Sequence, residues 1–220
     1  MFNNENGNTT IFVISLFGIF ALMFVLILSF ANVFIEKQHA SNNAEQASIV
    51  ASGVLLDSLE EAISEYDSWL ILQLAKIPVD PDIEHLRPLG DQVESVKNSL
   101  PNRLTELEKR QRAVNQVLRG ELGHNPFLPG FVSGELGSAE AAIREQVTNN
   151  IIANNGIVSQ SKIVLNSSSD YRIEVETSTK YKSFKFDEYF SDEQRRLKQK
   201  GKGPTFEFAE AMGFSLDIEL

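Results

Sequence analysis

The hydrophobic pattern is dominated by a stretch without charged residues from Asn6 to Ile35. Within it, residues 11–31 are apolar apart from two serines and one glycine. An apolar run of 18 or more residues is typical of a transmembrane helix. At about 1.5 Å per residue the run is roughly 31 Å long, which matches the hydrocarbon core of a bilayer. We therefore predict a single membrane-spanning helix over residues 11–31, after a short N-terminal tail over residues 1–10.

Two other interpretations of this run stay open from the sequence. A buried core helix can be long and apolar, although such helices rarely stay apolar on every face for about six turns. A cleaved signal peptide would have a basic segment before the run and a small-residue cleavage site after it. The first ten residues contain no Lys or Arg, and Ser29 and Ala31 give only a loose cleavage pattern. The pattern favours an uncleaved membrane anchor.

The segment after the run predicts a helical stalk over residues 32–77. Its apolar residues recur at steps of three and four and form one stripe from Val50 to Leu74. Asn42–Asn43 and Gly53 are places where this helix could break. The stripe has two interpretations, since it could form the core of the chain's own domain or contact another subunit.

Residues 78–156 are predicted to be a mainly helical region. It contains a loop over residues 120–137, which has five Gly and two Pro. Ser138 has the character of an N-cap for the helix that follows this loop. Since helical periods surround the loop on both sides, we expect a compact helical middle region.

The period changes from 3.6 to 2 after Gly156, which predicts a β-rich region over residues 157–220. The expected order is two strands, a polar helix and two short strands, over Ile157–Leu165, Tyr171–Phe186, Asp187–Gln199, Thr205–Phe208 and Phe214–Ile218. The predicted fold class is a single N-terminal transmembrane helix with a long helical stalk, followed by an α+β soluble domain.

Composition and charge narrow the function classes. The chain has 220 residues, a net charge of −10 and no cysteine, which excludes disulfides, thiolate metal sites and cysteine catalysis. The acidity lies in residues 36–94, with 12 acids and 3 bases, whereas residues 95–220 have 17 of each. This balance argues against a nucleic-acid partner, because nucleic-acid binders present a basic surface.

Two features are candidate partner contacts. The predicted loop contains Phe127, Leu128 and Phe131, which either fill the domain's own core or form a contact surface. Five basic residues within eight positions form either a solvated helix end or a site for an anionic partner. This basic cluster consists of Arg195, Arg196, Lys198, Lys200 and Lys202. Its candidate partners are lipid headgroups, an envelope polyanion or the acidic stalk of a neighbouring copy.

Residues with catalytic or metal-binding chemistry do not form a recognisable motif. His39, His85 and His124 lie in three different segments without ligand spacing. Residues 80–84 have three alternating acids, which are too few for a calcium loop. We find neither a hydrolase nucleophile elbow nor a phosphate-binding loop. The sequence therefore predicts no enzyme, no cofactor and no metal site.

The N-terminal region resembles a known family. A glycine and small polar residues precede the membrane run, and an Ala-rich segment that begins Asn43-Ala44-Glu45-Gln46-Ala47 follows it. This order is similar to that of the TadE/TadG-like proteins of Flp-type tight-adherence pilus systems, over about 50 of the 220 residues. The chain departs from the family at Gln46, where the family has Asp, and has Phe12 where processed pilins have Glu.

The resemblance implies a minor pilin-like or assembly component. Its N-terminal helix would lie in the cytoplasmic membrane, its body outside that membrane, and the small residues after the helix would let neighbouring helices pack closely. Charge alone does not set the orientation, since Lys37 is the only basic residue within twenty positions after the run. We therefore predict a non-enzymatic, single-pass membrane protein of the cell envelope, with the bilayer, other envelope proteins and its own copies as partners. The alternative function is a membrane-tethered extracytoplasmic sensor or ligand-binding domain.

Overall fold

The computed structural model describes residues 6–76, 83, 86–181 and 190–220. The helices are α1 (Asn6–Leu74), α2 (Gly90–Ser99), α3 (Glu106–Glu121), α4 (Leu128–Ala153) and α5 (Phe208–Met212). The strands are β1 (Ile157–Leu165), β2 (Arg172–Lys180), β3 (Arg196–Thr205) and β4 (Leu216–Glu219). This order confirms the predicted fold class of a long N-terminal helix followed by an α+β domain.

Helix α1 contains both the predicted membrane helix and the predicted stalk, without a break between them. Its 69 residues extend about 100 Å at 1.5 Å per residue. The helix continues through both of the places where a break could have occurred. Asn43 is only 2% exposed, and Gly53 is partly buried beside the domain, so packing supports the helix at both sites.

The four strands form one antiparallel sheet in the order β3-β2-β1-β4. The predicted bounds of β1 are confirmed. Its pairing with β2 shifts register between Ile157 and Lys162, and Gln160 lies inside this bulge with φ 68°. A bulge increases the local twist, which curves the sheet around the helix that covers it. Between β1 and β2, residues Ser167–Ser169 form a short 3-10 turn.

The core lies between α1, α4 and one face of the sheet. Leu55, Leu59 and Tyr66 of α1 are fully buried, as are Ile143 and Ile151 of α4. The stripe of α1 from Val50 onward is therefore the core of its own domain, which was the first of its two interpretations. Burying side chains of this size stabilises a fold by about 1.5–3 kcal/mol each.

Helix α4 begins eleven residues earlier than the sequence predicts. Residues 128–137 of the expected loop are helical, and the Ser138 hydroxyl donates to the Glu135 carbonyl inside the helix. The Asn125 side chain accepts the N–H groups of Phe127 and Leu128, which satisfies donors at the start of α4. Each interior glycine costs about 1 kcal/mol relative to alanine, but the buried apolar face from Leu128 onward outweighs that cost.

The C-terminal region also differs from the prediction. The polar helix expected around 187–199 is wrong over its described residues, because residues 192–195 form a turn and strand β3 begins at Arg196. Residues 182–189 of the predicted elements lie outside the described residues. The strand expected at 205–208 ends at Thr205, and Phe208 begins α5. Lys, Arg and Gln favour a helix locally, but pairing with β2 along the whole of β3 decides the outcome.

Polar contacts attach α2 and α3 to α1. The Asp67 carboxylate accepts the N–H groups of Leu89 at 2.6 Å and Gly90 at 2.7 Å, so a side chain of α1 caps the start of α2. Helix α3 has its own capping box, and the Arg110 guanidinium forms an ion pair with Glu60 of α1. The acidic face of the stalk thus holds the helices that follow it.

Candidate functional site

The first half of α1 is an exposed apolar surface. Its most apolar 18-residue window has a mean hydropathy of 3.1 and no buried residue. The large apolar side chains from Ile11 to Phe30, and those of Phe34 and Ile35, are 39 to 72% exposed, so the described part of the chain does not cover them. A soluble core helix would be mostly buried, so this exposure does not fit the core-helix interpretation. The segment is long and apolar enough to span a membrane.

The change from exposed to buried surface takes less than two turns of α1. Phe34 is 71% exposed and Ile35 54%, whereas Ala40 and Ala44 are fully buried. Because the helix is continuous, no flexible linker separates the candidate membrane segment from the domain. The position of the domain relative to the apolar segment is therefore fixed by one helix.

The Ala-rich segment of α1 packs on the chain's own sheet. Ala40, Ala44, Ala47 and Ala51 are fully buried, so the implied role of these small residues in packing neighbouring helices is wrong for this face. Gly201 of β3 lies against Ala44, and a Cβ atom added there would be 2.1 Å from the Ala44 carbonyl. Small residues on both elements let helix and strand backbones approach closely.

The apolar candidates Phe127, Leu128 and Phe131 contact the distal end of α1. The Phe127 ring lies 4.9 Å from that of Trp69, and the Phe131 ring lies edge-on to that of Tyr66 at 5.8 Å between centroids. Leu128 is fully buried. These contacts match the core interpretation of the three residues. Aromatic pairs at such distances contribute about 0.5–1.5 kcal/mol beyond the area they bury.

A buried hydrogen bond lies beside this aromatic cluster. The Asn125 side-chain amide donates to the Tyr66 hydroxyl at 2.7 Å. Burial raises the pKa of Tyr66, and the hydrogen bond from Asn125 opposes this shift. Asn125 therefore links the start of α4 to the core of α1.

The basic cluster lies at the edge of the sheet on β3 and not at a helix end. Lys200 and Lys202 project from the face of the sheet opposite α1, and their ammonium groups contact carboxylates of β2. Lys202 lies 2.8 Å from Glu174, and Lys200 lies 3.7 Å from Glu176. These two lysines are therefore neutralised within the chain. Exposed pairs of this kind contribute at most about 1 kcal/mol each.

The other cations of the cluster lie at the opposite end of β3, close to the apolar segment of α1. Arg195 contacts the Asp192 carboxylate at 2.7 Å, and Arg196 donates to the Ser159 carbonyl at 3.1 Å. Lys198 is exposed. Hydrogen bonds from Lys180 and Arg195 hold the pKa of Asp192 below its usual range. The structure thus divides the basic cluster into Lys200 and Lys202, which pair with acids of β2, and a part beside the end of the apolar segment of α1.

An apolar groove of about 280 Å³ lies between α1, α3 and the end of β3. Ile49, Leu107 and Pro204 are among its lining residues, and Ile49 is 53% exposed. Sequence reasoning missed it, because its residues come from three distant segments and no single period reveals their proximity.

Candidate chemical groups remain separate in the structure. His39 is exposed on α1 and His124 is exposed in the turn after α3, whereas His85 and the acids Asp80, Asp82 and Glu84 lie outside the described residues. No three His, Asp or Glu side chains of the described residues converge as a metal site. The Glu60 carboxylate is occupied by Arg110.

Comparisons with known proteins leave the resemblance of the N-terminal region as a prediction. No family model matches the chain, and neither a curated protein nor a solved structure matches it significantly.

Proposed function

We propose that this protein is a non-enzymatic, membrane-anchored structural or assembly component of a pilus-like or secretion apparatus. The observation that carries the proposal is the continuity of α1, which is an exposed apolar helix in its first half and the spine of the α+β domain in its second half. We infer that the apolar segment lies in the cytoplasmic membrane and that the domain lies outside it.

The architecture supports a mechanical function. A displacement of the membrane segment moves the domain with it, because the connection is a hydrogen-bonded helix and not a flexible linker. The domain is tied to the second half of α1 by the sheet, α4 and the Arg110–Glu60 ion pair. A component of this kind positions a folded domain at a fixed height and orientation above the bilayer.

Membrane topology is the first test. The native chain has no cysteine, so Ser133→Cys, an exposed position of α4, gives a unique label site. We expect a membrane-impermeant maleimide to label this variant in intact cells. Thr9→Cys, before the apolar run, is the matched control and should react only after lysis. The reverse pattern would place the domain in the cytoplasm and overturn the proposal.

Assembly is the second test. A photo-crosslinking amino acid at Gln46, which is exposed on α1 beyond the membrane segment, should give products that contain known subunits of an envelope machine or a second copy. The same residue at Lys76, exposed just after the distal end of α1, is the control for non-specific products. We also expect deletion of the gene to abolish surface filaments or secretion, and the wild-type chain to restore them.

The sensor alternative predicts a different outcome. In that case, deletion would leave surface filaments and secretion unchanged and would alter the response of the cell to an external ligand. A result of that kind, with the domain outside the membrane, would replace the assembly function while keeping the anchor.

A further inference from the structure

One end of the sheet is fixed at the height where α1 leaves its apolar segment. The Thr179 hydroxyl, near the end of β2, donates to the Glu36 carbonyl at 3.1 Å. Glu36 is the first charged residue after the uncharged stretch that begins at Asn6. The end of β2 and the beginning of β3, which pairs with it, therefore lie beside this boundary.

The height of this boundary matches the headgroup layer of a bilayer. If residues 11–31 cross the hydrocarbon core, Glu36 lies about 7.5 Å beyond it, at 1.5 Å per residue. The headgroup region is about 5–8 Å thick on each side. A modest tilt of the helix lowers this end of the sheet further into that layer.

The side chains on the outer face of the sheet at this end are cationic. In the pairing of β2 with β3, Lys180 lies opposite Arg196, and Ser178 lies opposite Lys198. Like charges directly opposed across two strands are destabilising. Farther along the same face, the acids of β2 neutralise the lysines of β3. Lys180, Arg196 and Lys198, which we call the cationic row, lack this cross-strand neutralisation.

Neighbouring acids neutralise only part of the positive charge of the cationic row. The Asp192 carboxylate lies 2.5 Å from the Lys180 ammonium and is shared with Arg195. Arg196 contacts the Ser159 carbonyl, which bears no net charge. The charges of Glu36 and Lys37 cancel, and Glu193, exposed in the turn before β3, offsets one more cation. This end of the sheet therefore has an excess of positive charge.

We propose that the cationic row binds the anionic headgroups of the lipid leaflet from which α1 emerges. The proposal rests on the membrane insertion of α1 in the proposed function, and it is independent of any assembly. Each cation held near an anionic surface favours binding about fivefold, so the row can select one orientation of the domain. The sheet then stands with its β2–β3 end on the membrane, and the paired part of β3 faces away from it.

The test uses the full chain in lipid nanodiscs. A Ser191→Cys variant labelled with a fluorophore reports on the membrane-proximal end, because Ser191 is exposed close to Asp192. Ser167→Cys, at the far end of the sheet, is the control position. Both discs contain the same fraction of nitroxide-headgroup lipid as quencher, and only one contains phosphatidylglycerol. We expect stronger quenching at Ser191 in the anionic disc, loss of this excess at about 0.5 M salt, and little quenching at Ser167.

Charge variants make the test specific. Lys180→Gln, Arg196→Gln and Lys198→Gln together should reduce the ratio of docked to undocked protein about fivefold per cation removed. The matched control is Lys76→Gln, Arg103→Gln and Arg112→Gln, which removes the same charge from exposed positions elsewhere and should leave quenching unchanged.

The possible outcomes distinguish lipid binding by the cationic row from membrane insertion of α1. Equal quenching at Ser191 in both discs, or an unchanged signal in the row variant, would overturn lipid binding by the row while leaving the anchor intact. Quenching at both label positions would also overturn it, since the domain would then lie flat. Failure of the chain to enter the discs at all would overturn the anchor itself.

Discussion

At the scale of single residues, the absence of a side chain at Gly201 is the feature that most tightly constrains the fold. A Cβ atom there would be 2.1 Å from both the carbonyl carbon and the carbonyl oxygen of Ala44, so helix and strand would have to separate. We expect Gly201→Ala to destabilise the protein by about 3 kcal/mol, at the upper end of overpacking costs. Chemical unfolding of the full chain in detergent, followed by the fluorescence of Trp69, measures this change.

Gly53→Ala is the matched control for that substitution. Nothing lies within 4 Å of a Cβ atom built at Gly53 of α1. Replacing a helical glycine by alanine then stabilises by up to about 1 kcal/mol. Equal free energies of unfolding for the two variants would contradict the close approach of α1 and β3.

Tyr66 combines packing with a buried hydrogen bond. Tyr66→Phe keeps the ring but leaves the Asn125 amide without its acceptor, which should cost about 1–3 kcal/mol. Tyr171→Phe, at a partly exposed position, is the control and should change the free energy of unfolding by about 0.5 kcal/mol or less. A similar loss in both variants would show that the Asn125 contact is not the cause.

The raised pKa of Tyr66 also predicts a pH dependence. Below the unfolded value of 10.0 the hydroxyl is neutral in both states, and stability is independent of its titration. Above that value the unfolded chain loses the proton more easily than the folded one, so stability falls as pH rises until the folded pKa is passed. Tyr66→Phe should flatten this part of the curve above about pH 10, compared with Tyr171→Phe.

At the scale of elements, Asp67 determines how α2 attaches to α1. Its two carboxylate oxygens accept the N–H groups of Leu89 and Gly90, whereas an asparagine has a single acceptor oxygen and no charge. We expect Asp67→Asn to destabilise by about 1–2 kcal/mol and to speed amide hydrogen exchange at Leu89 and Gly90. Glu65→Gln, an exposed neighbour on α1, should change neither quantity. Unchanged exchange in the Asp67 variant would contradict this cap.

Some helices and strands could be predicted from the sequence, and others could not. Long apolar periods predicted α1, and the change to a period of two after Gly156 predicted β1 and β2, since burial on one face dictates both patterns. The start of α4 was missed because interior glycines signal a loop locally, whereas the buried face from Leu128 decides the structure. Strand β3 was missed because its residues favour a helix until β2 pairs with them.

The candidate site could also be predicted from the sequence only in part. Phe127, Phe131 and the basic cluster were recognisable as unusual residues, but their surroundings depend on contacts distant in sequence. The proximity of Thr179 to Glu36, separated by 143 residues, could not be read from any local period. That contact is the one that places the cationic row beside the apolar segment of α1.

At the scale of the whole molecule, the proposed function depends on whether α1 behaves as one rod. An unbroken helix transmits rotation and displacement from its apolar segment to the domain, whereas a hinge at Asn42–Asn43 would disconnect them. The full burial of Ala40 and Ala44 against the sheet argues for a stiff connection, since bending there would open the core.

Paired spin labels test this stiffness in nanodiscs. Labels at Phe30→Cys and Glu61→Cys should lie about 46 Å apart along the helix, and labels at Glu45→Cys and Glu61→Cys about 24 Å apart. We expect narrow distance distributions for both pairs. A Ser41→Gly, Asn42→Gly variant should broaden only the long distance, because the shorter pair lies inside the packed domain. A native distribution of the long distance as broad as that of the variant would contradict the rod.

The same variant links stiffness to function. If it keeps the short distance but fails to restore filaments or secretion in the deletion strain, the loss comes from the broken mechanical coupling, because the domain itself is still folded.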